Sequence, residues 1–347
     1  MYRFIGLTLA ALLTAQQPPF GVQSRLVLVP VTVTDAKGRT LDGLEPSSFT
    51  VLDNGRVRPV TVDTIATGVA PLSLVVAIQS AGISAPVLEK VSKIGAMIQP
   101  LVTGERGCAA VLTFDEELRW LQDCTSHPDL IARAFVNIQP GAPKMARLLD
   151  AASAAIDRLR MHTSARRALL LISESRDRGS ETELEPVLVA AQSAGVAVYA
   201  ASYSAFKTAF TQRVARNPPQ SNRPKTPMEQ SGTHTGAPPA CNPAGCPDFP
   251  LPPPEQRVDI LGGLEELKRV GSTNTTQALT KGTGGAVFSF SRLKGLEEAI
   301  QKLGAEVHSQ YLLSFAPQDA APGLHAIEVK VSVPKARVRA RPAYWTQ

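Results

Sequence analysis

The stretch "LSLVVAIQSAGIS", residues 72–84, decides the fold. It begins as a continuous apolar run, which is typical of a strand buried on both faces, and it ends in small and polar residues. Two similar runs follow, "ALLLIS" at 168–173 and "GVAVYAASY" at 195–203, and segments with apolar residues at helical spacing separate them. This alternation predicts an α/β fold with a doubly wound, mostly parallel sheet that helices cover on both faces.

The two ends of the chain show the residue patterns of short strands and turns instead of alternating strands and helices. Valines alternate with other residues between Val27 and Val33, and residues 24–68 consist of strand and turn signals throughout. Residues 309–347 indicate three more strands. Because neither set can bury a face alone, we expect both to form one small β-sandwich, into which an α/β domain of residues 70–308 is inserted.

Two segments are expected to lie outside the folded core. Residues 1–15 combine Arg3, a short apolar run and Ala15 at a plausible cleavage point, which is typical of a secretory signal peptide. An uncleaved anchor or a buried helix is the alternative. Residues 217–255 are rich in Pro, Ser, Gly, Thr and Asn, and we interpret them as a disordered insertion within the α/β domain. The protein is therefore expected to be exported, to the periplasm or beyond the cell.

The four cysteines fit an oxidising compartment. Cys108 and Cys124 lie at equal distances from Glu116, at the centre of a predicted hairpin, so the hairpin would place them opposite one another and allow a disulfide. Cys241 and Cys246 could close a local loop in the Pro-rich segment. Free thiols are the alternative for each pair.

Charge and motifs argue against several functions. The net charge is +6, with Lys and Arg spread along the chain and few aromatic residues, which disfavours nucleic-acid binding and leaves association with an anionic cell envelope open. The histidines show no metal-ligand spacing. Ser291 and Lys294 match a Ser-x-x-Lys pattern without its companion motifs, so Ser291 is interpreted as a helix cap. We expect no enzymatic activity, and a hydrolase with an unrecognised serine remains the rival hypothesis.

The order of segments resembles the von Willebrand factor type A-like family, and in particular its exported proteins of the acidobacterial type. The resemblance rests on "LVLVPVTVTDAKGRTLDGLEPSSFTVLDNG" near the N-terminus, "AGVAVYAASY" and "TGGAVFSF" in the middle, and "SQYLLSF" with "GLHAIEVKVSVPKARVRARPAYW" near the C-terminus. It implies a Rossmann-like A domain and a binding or adhesion function with a protein partner that the sequence does not name.

The resemblance also implies where a divalent ion would bind. The family pattern is Asp-x-Ser-x-Ser after the first strand, a Thr from a later loop and an Asp after the fourth strand, a set of oxygen ligands that suits a hard cation. Here Gln79 stands at the first Asp, Ala81 and Ile83 at the two Ser, Ala146 at the Thr and Glu174 at the last Asp. We therefore expect a degenerate metal site and no cofactor, with a weak Mg²⁺ or Mn²⁺ site as the alternative.

The same edge of the sheet is the expected ligand-binding rim. Open α/β sheets bind ligands beyond the carboxyl ends of their strands. One of four nearby cations could also neutralise Glu174 in place of an ion: Lys144, Arg147, Arg176 or Arg178. The candidate rim residues are Gln79, Ser80, Ser84, Lys144, Arg147, Glu174 and Asp177.

Overall fold

The structure, a computed structural model, describes residues 26–63, 71–81, 91–141, 145–162, 166–203, 274–290, 293–317 and 321–346. Several features predicted from the sequence lie outside the described residues. They are the signal peptide, the Pro-rich insertion with Cys241 and Cys246, the metal-site position Ile83, the rim candidates Ser84 and Lys144, and the helix-cap candidate Ser291.

The strands are numbered here in chain order. They are β1 Val27–Thr34, β2 Phe49–Asp53, β3 Arg56–Arg58, β4 Thr61–Asp63, β5 Leu72–Gln79, β6 Cys108–Phe114, β7 Leu118–Thr125, β8 Arg166–Ser173, β9 Val196–Tyr203, β10 Val287–Phe290, β11 Tyr311–Phe315, β12 Gly323–Val331, β13 Arg337–Arg339 and β14 Ala343–Thr346.

The α-helices of the described ranges follow in the same way. They are α1 Gly95–Ile98, which continues as a π-helical turn over Gln99–Thr103, α2 Pro128–Val136, α3 Leu148–Arg160, α4 Leu184–Ala194, α5 Thr275–Thr283 and α6 Leu293–Ser309. In this part of the chain no helix has the length and apolarity that crossing a bilayer requires.

The central sheet confirms the predicted fold class. Its strand order is β10-β9-β8-β5-β6-β7, and every neighbouring pair is parallel except β6 with β7. All eight residues of β5 are buried, because the strand lies in the middle of the sheet with helices on both faces. Val76 and Ile78 pack in the same cluster as buried residues of α2 and α6, whereas Val75 and Ala77 pack with α3 and α4. Alternate residues of this apolar strand therefore pack into two different cores, one on each face of the sheet.

Strands from both ends of the chain form two further sheets. Their orders are β13-β1-β11-β4 and β14-β12-β2-β3, so each sheet combines N-terminal and C-terminal strands. Their apolar side chains form a single cluster, which includes Val29, Val51, Leu313 and Tyr344. The last predicted strand is divided into β13 and β14, which belong to different sheets. Pro342, which has no N–H to donate to a ladder, lies between them.

A disulfide joins Cys108 and Cys124, which the predicted hairpin allowed. The bond links the first residue of β6 to the neighbouring end of β7, with a Cα–Cα distance of 5.2 Å. The antiparallel pairing of these strands through Phe114 and Leu118 brings the two cysteines together.

Candidate functional site

Two strands that meet at the switch point of the sheet position the candidate site. β5 has β6, the next strand in the chain, on one side and β8 on the other. The strand order therefore reverses direction at β5. In such sheets the crevice for a ligand opens at the carboxyl ends of the central strands. Gln79 is the last residue of β5, and Glu174 directly follows β8. We call the described residues at this edge, 79–81, 146–147 and 174–178, the switch-point rim.

The Gln79 side chain is buried and tied to both strands. Its amide oxygen accepts the backbone N–H of Glu174 at 3.0 Å. Its amide nitrogen donates to the carbonyl of Ala81 at 2.9 Å and to the Glu174 carboxylate at 3.2 Å. The residue is 0% exposed, so these contacts replace water completely. Gln79 thus joins β5 to the loop after β8.

The Glu174 carboxylate forms an ion pair with Arg178. Arg178 Nη2 lies 2.8 Å from Glu174 Oε2, and the side chains are 40% and 18% exposed. Of the cations suggested by the sequence, Arg178 makes this contact, while Arg147 instead contacts Glu181 at 3.1 Å. The Arg178 guanidinium and the Gln79 amide therefore both contact the same carboxylate oxygen, Glu174 Oε2.

A second carboxylate at this edge, that of Asp115, also forms an ion pair with an arginine. Asp115 follows β6 and is buried; it accepts hydrogen bonds from Arg119 Nη1 at 3.0 Å and from Ser80 Oγ at 3.3 Å. Burial alone would raise the pKa of Asp115, but the Glu117 N–H and the Arg119 guanidinium stabilise the charged form and lower the pKa below its usual value. Each of the two carboxylates is thus paired with an arginine four residues further along the chain.

Two of the other family metal positions are occupied by methyl groups in the core. Ala81 and Ala146 are both 0% exposed and belong to the hydrophobic cluster that contains Val75. Their backbones are also paired, Ala81 with Gly141 and Ala146 with Arg178. Neither position offers a side-chain oxygen.

The Asp177 side chain accepts a hydrogen bond from the N-terminus of helix α3. Its Oδ1 accepts the backbone N–H of Leu149 at 3.1 Å and the hydroxyl of Ser180 at 2.6 Å. The Ser180 hydroxyl oxygen in turn accepts the backbone N–H groups of Leu149 and Asp150 at 3.1 Å each. Because Arg147 supplies no side-chain cap to α3, this neighbouring loop satisfies the free N–H groups of its first turn.

Tyr203 is a rim neighbour that the sequence analysis missed. It ends β9, is buried, and its hydroxyl has no hydrogen-bond partner among the described residues. Burial raises the pKa of Tyr203 well above its usual value, and the negative charge of Glu174 adds to the effect. A tyrosine at the last position of a buried strand is the signal that could have indicated it.

A threonine and a histidine near the C-terminus have the spacing of a nucleophile and its base but the wrong hydrogen-bond roles. Thr346 Oγ1 lies 3.0 Å from His325 Nε2. The Asn54 amide nitrogen donates to His325 Nδ1 at 2.9 Å, and its amide oxygen accepts the N–H of Ala326. Nε2 therefore carries the proton and donates to the Ala321 carbonyl at 2.7 Å, so it cannot accept one from Thr346.

One group of three potential metal-ligand side chains occurs within the described ranges. It consists of Cys108, Cys124 and His162. Both sulfurs are engaged in the disulfide, so neither is a thiolate ligand.

Comparisons with known proteins give distant structural likenesses. No family model and no curated protein matches the chain. An aerotolerance-related membrane protein from Bacteroides fragilis NCTC 9343, solved with multiple mutations to serines, is 14% identical, with a TM-score of 0.40, over 67% of this chain and 98% of its own. BatB from Bacteroides thetaiotaomicron is 12% identical, with a TM-score of 0.40, over 67% and 99%. The vWF domain of the type V pili tip protein Mfa5 from Porphyromonas gingivalis is 15% identical, with a TM-score of 0.28, over 31% and 39%.

Proposed function

We propose that the protein is an exported, non-enzymatic scaffold with a von Willebrand A-like domain, of the acidobacterial type, and that its switch-point rim binds a protein partner without a metal ion. The observation that carries the proposal is the pairing of Glu174 with Arg178 at the place where the family pattern puts an ion. A guanidinium supplies the positive charge that a carboxylate at this edge requires.

The donor set at the rim does not fit a hard divalent cation. Mg²⁺ and Ca²⁺ need several oxygen ligands, and carboxylate charge largely determines their affinity. At the ligand positions of the family pattern Glu174 contributes the one carboxylate, and its Oε2 is already paired with Arg178. The Gln79 amide oxygen accepts a backbone N–H, and Ala81 and Ala146 contribute methyl groups. The rival proposal, a metal-dependent adhesion module, requires all of these contacts to rearrange.

The rim offers groups suited to a protein surface. Arg176 and Arg178 are exposed at the end of β8, and Glu181 beside Arg147 is exposed as well. Arginine is enriched at protein interfaces because its planar guanidinium forms several hydrogen bonds at once. The other rival, a hydrolase with an unrecognised serine, requires an activated hydroxyl. Ser80 is buried and donates to Asp115, which carries its own arginine.

Export is supported by the cysteine pair. A disulfide that crosslinks two strands persists in oxidising compartments and is rare in the cytosol. The signal-like sequence of residues 1–15 agrees with this location.

Site-specific photocrosslinking tests the proposal. A photoreactive amino acid at Arg176, on the rim, is expected to give a crosslinked partner in cell-envelope preparations, in chelator as well as in Mg²⁺. The matched control is the same amino acid at Arg160, an exposed residue at the far end of α3. Loss of the crosslink in chelator would contradict metal-free binding, and equal crosslinking from both positions would contradict a role for the rim.

A further inference from the structure

A cavity lies at the opposite edge of the central sheet. It has a volume of about 240 Å³ and is lined by the first residues of β5 and β8, by α4, and by strands of the terminal sheets. Leu72 and Arg167 come from the central sheet, while Leu28 and Tyr344 come from the two ends of the chain. The cavity is therefore made only when the α/β domain and the terminal strands are assembled.

Two guanidinium groups converge inside this cavity. A Cβ on Gly195 would lie 3.8 Å from Arg167 Nη2 and 3.9 Å from Arg341 Nη1, so both groups flank one point. Arg341 is 8% exposed, and its Nη1 donates to the carbonyl of Gln192 at 3.1 Å. The Nε atoms of both arginines are buried and have no hydrogen-bond partner among the described residues.

The described residues that line the cavity supply no carboxylate to neutralise this pair. Asp and Glu are absent from that lining. Burial lowers the pKa of Arg341 to about 10; Tyr344 opposes this shift, and the charge of Arg167 adds to it. Burial also lowers the pKa of Arg167. A buried cation without a counter-ion is costly, because neither water nor an opposite charge compensates its desolvation.

The mouth of the cavity is apolar. Among the described residues, six large hydrophobic side chains are exposed, and three of them, Leu26, Leu28 and Trp345, line this cavity. Exposed apolar side chains that cluster around a concave site indicate a binding surface. The cavity thus combines positive charge in its interior with apolar surface at its opening.

We propose that this cavity binds a small organic anion, a carboxylate with an apolar body. The head group would bridge Arg167 and Arg341, since guanidinium groups bind carboxylates through paired hydrogen bonds. The apolar body would lie against Leu28 and Trp345. The site is separate from the switch-point rim, at the other end of the strands, and does not depend on the function proposed for the rim.

Calorimetric titration of octanoate into the full chain tests the proposal. We expect saturable binding, weakened on the order of tenfold or more by Arg341→Gln and by Arg167→Gln, because each removes one charge-assisted contact. Arg167 is only partly buried, so its variant tests the site even if Arg341→Gln folds poorly. Arg160→Gln, the same charge change at an exposed position, is expected to bind octanoate like the unchanged protein.

Two further titrations test separately the contributions of the ligand's charge and of its apolar body. Octanol keeps the apolar body without the charge, and inorganic phosphate keeps a charge without the body; both are expected to bind at least tenfold more weakly than octanoate. The proposal is overturned if octanoate gives no saturable heat, if octanol binds as tightly, or if phosphate binds more tightly. An equal loss of octanoate binding in Arg160→Gln would also overturn it.

Discussion

Replacing Gln79 with methionine is expected to lower the free energy of unfolding by about 2–4 kcal/mol, because a buried amide that joins two strands would be lost. Methionine has a similar length, so the change leaves little empty volume. It does leave the N–H of Glu174 and the carbonyl of Ala81 without their present partner. Urea unfolding followed by circular dichroism measures the difference.

Gln122→Met is the matched control for this change. Gln122 lies on β7, and within the described ranges its amide donates to the carbonyl of the next residue, Asp123, at 3.1 Å. We expect this variant to stay within about 0.5 kcal/mol of the unchanged protein, as is usual for substitutions away from buried networks. If Gln79→Met were as stable as Gln122→Met, the buried hydrogen bonds of Gln79 would not stabilise the switch point.

The double variant Cys108→Ser, Cys124→Ser is expected to lose about 3 kcal/mol of stability. The bond joins residues 16 positions apart, and a crosslink of that length restricts the unfolded chain by roughly this amount. The folded strands would still pair through their ladder, so the loss should appear in the unfolding midpoint rather than in the secondary structure. An unchanged midpoint in urea would show that the hairpin does not need the bond.

The sequence predicted the elements whose patterns are strong and local. The continuous apolar runs placed β5, β8 and β9, and the symmetric cysteines placed the hairpin. Helix α2 was missed, although Pro128 at its first position and the spacing of Ile131, Ala134 and Phe135 indicate it. Its nine residues gave too short a pattern to stand out between the hairpin and α3.

At the candidate site the sequence predicted positions better than partners. The family pattern placed Gln79 and Glu174 at one edge, where the structure also has them. It could not distinguish Arg178 from Arg147 as the partner of Glu174, because the loop geometry after β8 decides which guanidinium reaches the carboxylate. The contact between Ser80 and Asp115 depends on the pairing of β5 with β6, which no local pattern reveals.

The arginine pair of the cavity lay beyond any sequence pattern. Arg167 and Arg341 are separated by most of the C-terminal half of the chain, and each alone resembles an ordinary surface cation. Only the packing of the last strands beside α4 brings both guanidiniums to Gly195. Long-range contacts of this kind require the complete fold.

Titration of Mn²⁺ and Mg²⁺ into the chelator-treated full chain tests the central claim, that an arginine takes the place of a metal ion at the switch point. We expect no saturable heat at concentrations up to about 1 mM, because Glu174 is the one carboxylate at the family positions and Arg178 already pairs with it. Glu174→Gln, which keeps the shape and removes the charge, is the control. Saturable binding tighter than about 1 mM that disappears in Glu174→Gln would contradict this claim and favour metal-dependent adhesion.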